Sequence, residues 1–400
     1  MAKYSFKAAW IVFTLAAGAT IPSTIIPQYE RLFHMSIGLT ELTFVVYGLA
    51  LLPTLIYFGS LSDKVGRKTI LLVGSCFMLI PTFLLGYPSS IFSIMAARAL
   101  QGALLGMLLG TSTAFFIDQA VPEAAPHAAR LSGFIMTFGY AVGPAISGTA
   151  LLLHGNLASP FIVNALLLGM AILLVAMSPE SKRRTTAKGS SRKIKTSPVN
   201  GRVFMRIIAL PAFSIFSVGN VSLSVLPIYV HTVFHLPGAV ENAFYGYTEM
   251  SLFVFAAMAQ MLVSKWPLKR VMTVGLFAEG LGQIILAVGG LLSSLPTLLL
   301  GVIIVGSGFG LTIMATIRKA NELANPDNLG KVLAWTYASQ YIGFIIPTIG
   351  VGYLSDVYGL RATFVGFGIF MVLFALVAAL VGSYVTVPRH RRTPSSSRSS

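Results

Sequence analysis

Charged residues are scarce in this chain. Only 12 of its 400 residues are Asp or Glu and 28 are Lys or Arg, so 10% of the chain is charged and 55% is hydrophobic. Soluble domains carry about 25% charged residues. A soluble fold of this length needs a polar surface, and so few charges do not supply one. The composition therefore indicates that most of the surface meets lipid.

Residues that commonly bind metals or carry out catalysis are also few. Cys76 is the single cysteine and lies within an apolar run, which excludes a disulfide framework and a cysteine metal cluster. The six histidines lack the pairing of a zinc site, and there is no Gly-Lys-Ser loop to cradle a nucleotide. These absences argue against an ATP-driven pump and a membrane metallohydrolase. We predict no cofactor, no metal and no enzymatic activity.

Long apolar runs are abundant instead. A helix that crosses a bilayer needs about 20 mostly apolar residues. We expect the first run to be a retained span, because it lacks a convincing signal-peptide cleavage site. The sequence predicts an all-α, polytopic membrane protein with twelve transmembrane helices. The runs lie near 8–29, 40–61, 69–86, 90–117, 128–153, 160–177, 206–231, 243–263, 268–291, 295–317, 332–353 and 362–386.

The basic residues orient these spans. If the N-terminus is cytoplasmic, all of the 28 Lys and Arg residues except Arg31, Arg98 and Arg361 fall in cytoplasmic loops or termini. Such a bias is the positive-inside rule. The formal charge of +16 is therefore distributed beside spans, and we predict no nucleic-acid partner. We expect a multi-pass protein of the cell membrane with both termini cytoplasmic.

One long polar stretch divides the chain into two halves of six spans. We predict a first six-helix bundle at 1–178, a basic cytoplasmic linker at 179–205, a second bundle at 206–387 and a basic cytoplasmic tail at 388–400. The linker composition favours contact with anionic lipid headgroups. Short motifs recur between the halves: IIPQY with VLPIY, and YGLA with YGYT. A duplicated six-helix unit is typical of transporters that rock two pseudo-symmetric bundles about a central site.

Three motifs give the chain a family resemblance. GSLSDKVGRK lies between spans two and three, RALQG lies in span four, and GYAVGPAISG lies in span five. The first two resemble the signature loop and the Arg-x-x-Gln-Gly element of the major facilitator superfamily. The third is similar to an element of its drug:proton antiporter branch. The loop after span eight, SKWPLKR, departs from the signature pattern, so we expect no second copy there. The resemblance implies a twelve-helix secondary transporter.

We interpret the charged loop as a gating latch. Asp63 ends its helix, where it can accept hydrogen bonds from the N-terminus of a neighbouring helix, and Arg67 can fork onto a carboxylate. Gly59 and Gly66 permit close packing and a tight turn. The resemblance implies that Asp63 contacts span eleven and that Arg67 pairs with Asp118, which together hold the cytoplasmic side closed. The alternative is that these charges only mark a loop.

Charges inside the spans identify candidates for coupling and for the cavity. A charge near the bilayer centre costs about 3 kcal/mol or more, so it needs a partner, water or a function. Glu249 is our first choice as proton carrier, because span eight borders the central interface in the family fold. For Glu279 we favour helix packing, since span nine is peripheral there. Arg98 and Gln101 belong to the span-four element, and Arg98 either serves the cavity or bonds to backbone.

Small residues in span five predict a packing hinge. Gly139, Gly143, Pro144 and Gly148 allow close helix contact and a bend. Other polar and aromatic residues either line a cavity or simply pack: Tyr29, Tyr140, Asn220, Trp335, Tyr337 and Gln340.

The sequence leaves three functions open. The first is export of small, amphipathic, drug-like compounds in exchange for protons by alternating access. The second is a facilitator or symporter for a specific metabolite, such as a sugar or an amino acid. The third is a membrane scaffold without transport, against which the latch and the repeated halves argue. We expect a monomer whose partners are a small-molecule substrate, protons as coupling ion and membrane lipids.

Overall fold

The computed structural model describes residues 5–180, 201–263, 265–324 and 329–383. Within these ranges the chain forms twelve helices. In the first half these are α1 Phe6–Phe33, α2 Ile37–Val65, α3 Arg67–Gly86, α4 Ile91–Asp118, α5 Ala125–His154 and α6 Ser159–Ala176. In the second half they are α7 Gly201–Phe234, α8 Gly238–Leu262, α9 Leu268–Leu291, α10 Leu295–Leu323, α11 Leu329–Tyr358 and α12 Leu360–Ser383.

Ten of these helices are long and apolar enough to cross a membrane. The two others are α8 and α11, which carry buried polar residues such as Glu249 and Gln340. Polar side chains in a membrane bundle face other helices rather than lipid, and both helices lie where the two halves meet. Their lower hydropathy therefore follows from their position. The chain is a multi-pass membrane protein, as predicted.

The two halves pack in the same way. In the first half α2 packs on α4, α3 on α4 and α6, and α1 on α5. In the second half α8 packs on α10, α9 on α10 and α12, and α7 on α11. Both first helices also end alike, at His34 and His235 in the left-handed conformation. The repeated pairing confirms two pseudo-symmetric six-helix bundles. The exact division at 178, 205 and 387 stays a prediction, and α7 begins at Gly201.

Two long helix pairs join the bundles. The helix α5 packs on α8, and α2 packs on α11, while a smaller contact joins α1 to α7. We call the side that carries the α2–α3, α4–α5, α8–α9 and α10–α11 connections the basic face, and the other side the opposite face. Residues 181–200, within the predicted linker, lie outside the described residues, and so do residues 384–400, which include the whole predicted tail at 388–400.

The orientation can be tested by cysteine labelling in a Cys76→Ser background. Ser190→Cys lies in the predicted cytoplasmic linker, and Ser89→Cys lies in the exposed α3–α4 connection on the opposite face. With a membrane-impermeant maleimide on intact cells, we expect labelling at 89 and none at 190 until the cells are permeabilised. Labelling at 190 from outside would contradict the charge-based orientation.

Candidate functional site

The first helix is broken in its second half. The segment Ile21–Ile25 forms a 3-10 turn, with Pro22 inside the turn and Pro27 just after it. Proline lacks an N–H and clashes with the preceding turn, so a regular α-helix does not continue through it. The break presents the hydroxyls of Thr20, Ser23 and Thr24 to other helices, which makes it the start of the candidate site.

Each of these hydroxyls has a partner on a facing helix. Thr20 Oγ1 lies 3.2 Å from the Tyr140 carbonyl of α5, and Thr24 Oγ1 donates to Ser147 Oγ, also of α5. Ser23 Oγ lies 2.5 Å from Oε2 of Glu249 on α8. The last contact crosses between the bundles. The broken segment therefore fastens α1 to α5 within its own bundle and to α8 in the other.

Glu249 is almost completely enclosed. Its exposed fraction is 1%, and its second oxygen, Oε1, has no hydrogen-bond partner within the described part of the chain. A buried carboxylate usually has a cation or several donors around it. Glu249 has one hydroxyl, so its environment is unusually poor in groups that would stabilise a negative charge.

Aromatic rings from both bundles meet beside Glu249. Phe253, one turn along α8, stacks on Tyr140 with ring centroids 6.2 Å apart. Phe344 of α11 lies 6.3 Å from the Tyr47 ring of α2 and 6.0 Å from the Tyr341 ring. We call these five residues the central aromatic cluster. Aromatic walls with a few polar groups are typical of sites that bind small amphipathic molecules.

Two further predicted cavity residues border this cluster. Tyr337 is close enough to interact electrostatically with Tyr140 and Tyr341. Gln340 is buried, and both polar atoms of its amide lack a hydrogen-bond partner among the described residues. An unpaired buried amide is costly, so Gln340 is suited to hydrogen-bond a bound molecule or water.

Three more residues were predicted either to line a cavity or simply to pack, and they are placed differently. Tyr29 donates to the Leu85 carbonyl at 2.5 Å inside the first bundle. Asn220 donates to Thr348 at 2.6 Å inside the second. Trp335 is exposed. Neither hydrogen bond involves the central aromatic cluster.

Arg98 and Gln101 connect three helices of the first bundle. Arg98 donates to Gln101 Oε1 at 2.6 Å and lies 3.4 Å from the Thr43 carbonyl of α2, while Gln101 donates to the Gly18 carbonyl of α1 at 3.0 Å. The guanidinium also stacks 4.4 Å above the Tyr47 ring. Arg98 therefore bonds to backbone and at the same time fixes one ring of the central aromatic cluster.

Glu279 lies away from the central site. It is fully buried in α9, beside Gly308 of α10. Ser214 and Thr312 are its polar neighbours, but their hydroxyls donate to carbonyls of their own helices. The Glu279 oxygens accept no hydrogen bond from the described residues. The structure keeps this acid inside the second bundle and does not bring it to Glu249.

The small residues of α5 pack on two sides. A Cβ on Gly139 or Gly143 would collide with the α1 backbone in the same bundle. A Cβ on Gly148 would collide with the α8 backbone near Asn242, and the Pro144 carbonyl lies against Gly246 of α8. Close approach of α5 to both partners thus requires glycine at these positions.

The charged loop lies on the basic face. Arg67 Nη1 is 2.5 Å from Asp118 Oδ2 and 3.0 Å from the Ala114 carbonyl, so it joins the start of α3 to the end of α4. Gly66, with φ of +109°, is the one residue between α2 and α3. At positions 59 and 63 the structure describes only the helical backbone, and residues 325–328 before α11 lie outside the described ranges. The Asp63 contact with α11 stays a prediction.

On the opposite face an acidic side chain caps a helix, and the sequence analysis missed this contact. Asp356 of α11 accepts hydrogen bonds from the Ile37 N–H at 2.9 Å, the Gly38 N–H at 3.0 Å and the Ser36 hydroxyl at 2.8 Å. These groups form the N-terminus of α2, where a negative charge is stabilised by the helix dipole. The signal was present in the sequence, because LSDVYGLR at 354–361 repeats the pattern of LSDKVGRK at 61–68.

A titratable cluster adjoins this cap. Buried Glu241 of α8 lies 2.6 Å from His231 Nδ1 of α7 and 3.9 Å from Arg31 Nη1 of α1, and it accepts a hydrogen bond from Tyr245. Arg31 belongs to the first bundle and the other three belong to the second. Together with Asp356, the cluster joins the two bundles at the opposite face.

Glu41 is a further buried acid that the sequence analysis did not single out. It has an exposed fraction of 0%, and both oxygens lack a partner in the described part of the chain. Its side chain packs on Gly352 of α11. Its position one turn inside an apolar run was the available signal. Ser23 was missed for a different reason: a serine between prolines gives no sign of which helix it will meet.

Known proteins resemble the whole chain. It matches the family model described as Major Facilitator Superfamily over residues 8–348 and 249–400. It is 31% identical over 175 residues to the multidrug efflux pump LfrA of Mycolicibacterium smegmatis, a match that covers 43% of this chain and only 34% of that pump. It is 22% identical to the multi-drug resistance efflux pump PmrA homolog of Lactococcus lactis, over 91% of each chain.

Solved structures share the fold. The crystal structure of a D-xylose-proton symporter superposes with a TM-score of 0.75 at 17% identity, over 93% of this chain and 95% of the symporter. At that identity the likeness shows the fold alone.

The Arg67–Asp118 pair can be tested by charge reversal. Arg67→Asp and Asp118→Arg each place like charges in a half-buried contact, so we expect each to lower the Tm of the purified protein by about 5 °C. The double reversal restores the attraction and should recover at least half of that loss. Arg130→Asp, on the same face, is the control and should have little effect. A double variant no more stable than the singles would contradict the pairing.

Proposed function

Because the chain belongs to the major facilitator superfamily, whose members are transporters and not enzymes, we propose that it exports small amphipathic compounds in exchange for protons. The basic face is then cytoplasmic and the opposite face is external. The multidrug efflux pumps among its relatives support this proposal, and so does the chemistry of the central site. Alternating access between the two bundles moves the substrate.

The contact between Ser23 and Glu249 carries the proposal. The Ser23 hydroxyl lies 2.7 Å from the Thr20 carbonyl and 2.5 Å from Glu249 Oε2. A hydroxyl has one hydrogen to donate, so it cannot satisfy a carbonyl and an ionised carboxylate together. If Glu249 is protonated, its O–H donates to Ser23 Oγ while Ser23 donates to Thr20. Both bonds then form, and no negative charge is buried.

This arrangement gives the proton a defined place in the cycle. In the externally open state Glu249 is wetted, releases its contact with Ser23 and takes up a proton from outside. The neutral acid can then be enclosed, and the Ser23 contact helps to close the external face. When the substrate enters from the cytoplasmic side, Glu249 loses its proton to that side. Each cycle thus exchanges one substrate molecule for protons moving inward.

The central aromatic cluster is the proposed substrate site. Its rings supply flat apolar contacts, and ring faces attract cations when water is excluded. Gln340 adds one amide for hydrogen bonding, and the Glu249 carboxylate adds a negative charge once it is ionised. Flat aromatic cations, such as ethidium, fit this combination. A cationic substrate bound there would compete with protonation of Glu249. This competition couples the movement of protons to the movement of substrate.

The alternative is transport of a specific metabolite. The fold is shared with a D-xylose-proton symporter, so sugar uptake is the natural example. A sugar offers hydroxyls on every side, and its site needs many precisely placed hydrogen-bonding groups. The central aromatic cluster is dominated by rings, which favours export of amphipathic compounds.

The proposal predicts the behaviour of Glu249→Gln in energised membrane vesicles. Glutamine mimics the protonated acid and does not titrate, so ethidium should bind only as weakly as it does to the protonated wild type, while uphill export falls at least tenfold and no longer depends on pH. Glu279→Gln is the matched control, since it removes a buried acid outside the central site and should keep the pH profile of the wild type.

Two results would count against the proposal. Uphill ethidium export by Glu249→Gln with an unchanged pH profile would eliminate Glu249 as the proton carrier. If wild-type vesicles move no ethidium but accumulate a sugar or an amino acid, the alternative is correct.

A further inference from the structure

A groove lies on the outer side of the second bundle, away from the central site. It is formed where α7 and α9 begin and where α10 and α12 end, so it lies at the basic face. Its volume is about 140 Å³. Apolar walls include Ile207, Met272 and Ala378, and the polar lining is basic: Arg206, Lys269 and Lys319.

The charge in this groove is predominantly positive. Three bases line it, and no acid among the described residues does. Lys319 also contacts Glu322, at 2.9 Å in an exposed i,i+3 pair, which leaves the groove with a net positive charge. A basic lining beside apolar walls is complementary to an anionic amphiphile.

An irregular turn of α7 places Arg206 there. The segment Met205–Ala209 forms a π turn, which contributes both Arg206 and Ile207 to the groove. Such turns are rare within helices and are frequently found at functional sites. The π turn at Met205–Ala209 therefore gives Arg206 a position that a regular α-helix would not give it.

From these features we infer that the groove binds the headgroup of an anionic phospholipid. The groove lies at the ends of four helices on the basic face, and the ends of membrane-spanning helices lie near the lipid phosphates. Basic pockets between transmembrane helices on this side bind such headgroups. Liquid water takes about 30 Å³ per molecule, so the groove holds roughly five water volumes. That is sufficient for a phosphate with part of its glycerol. The acyl chains extend outside, over exposed apolar residues of α12 such as Leu376.

The test is native mass spectrometry of the full-length protein with phosphatidylglycerol and phosphatidylcholine of the same acyl chains. We expect the anionic lipid to bind more tightly to the wild type. Arg206→Gln, Lys269→Gln and Lys319→Gln should each weaken it by about fivefold, because each base near the surface contributes about 1 kcal/mol. Ala378→Phe fills the groove without a change of charge. It should abolish the preference for phosphatidylglycerol over phosphatidylcholine.

Arg270→Gln is the matched control. It removes a base next to Lys269, but this guanidinium stacks 4.3 Å above the Trp266 ring and does not line the groove. We expect it to bind phosphatidylglycerol as the wild type does. The proposal is overturned if Arg270→Gln loses as much affinity as Lys269→Gln, or if Ala378→Phe binds phosphatidylglycerol normally. Displacement of the lipid by an equal concentration of inorganic phosphate would also overturn it, because the site would then bind a free anion.

Discussion

The hydrogen bond between Ser23 and Glu249 joins two bundles at a position where neither group can reach water. Burial of a carboxylate with one donor is costly unless the group is neutral. The break in α1 makes the contact possible, because the 3-10 turn at Ile21–Ile25 delivers the hydroxyl to α8. The neighbouring aromatic rings depend on the same approach, since Tyr140 and Phe253 stack only while α5 and α8 are close. In the proposed transport cycle, proton binding, substrate contact and closure would therefore meet at one junction.

The helix pair α2 and α11 provides a second level of closure. Asp356, near the end of α11, caps the N-terminus of α2 on the opposite face. The repeated motif suggests its counterpart: Asp63, near the end of α2, would cap α11 on the basic face when that side closes. Each motif has a glycine of positive φ three residues after the acid, Gly66 and Gly359. One helix pair would thus be latched at alternate faces. The Ser23–Glu249 contact would favour the state in which the opposite face is closed.

Much of this architecture could be predicted from hydropathy and charge. Those signals are local, so they identified the spans and the two halves, whereas the separate roles considered for Glu249 and Glu279 came from the resemblance to the family fold. They did not identify Ser23, Glu41 or Asp356, because the importance of each depends on a helix that is hundreds of residues away in the chain. Both α8 and α11 were predicted as spans, although their polar residues, which face protein, lower their hydropathy. Arg98 was found, but its stacking on Tyr47 required the packing of α2 against α4.

The most direct test measures closure of the opposite face against pH. Spin labels at positions 89 and 292, in connections of different bundles, report the distance between the bundles by double electron–electron resonance. The account predicts that the short-distance, closed population of the wild type grows as the pH falls, since protonated Glu249 makes the Ser23 contact. Glu249→Gln should be closed at every pH, because its amide can donate to Ser23, and adding Ser23→Ala should reduce that closed population. A wild-type distance that does not change with pH, or a closed population that Ser23→Ala leaves unchanged, would contradict it.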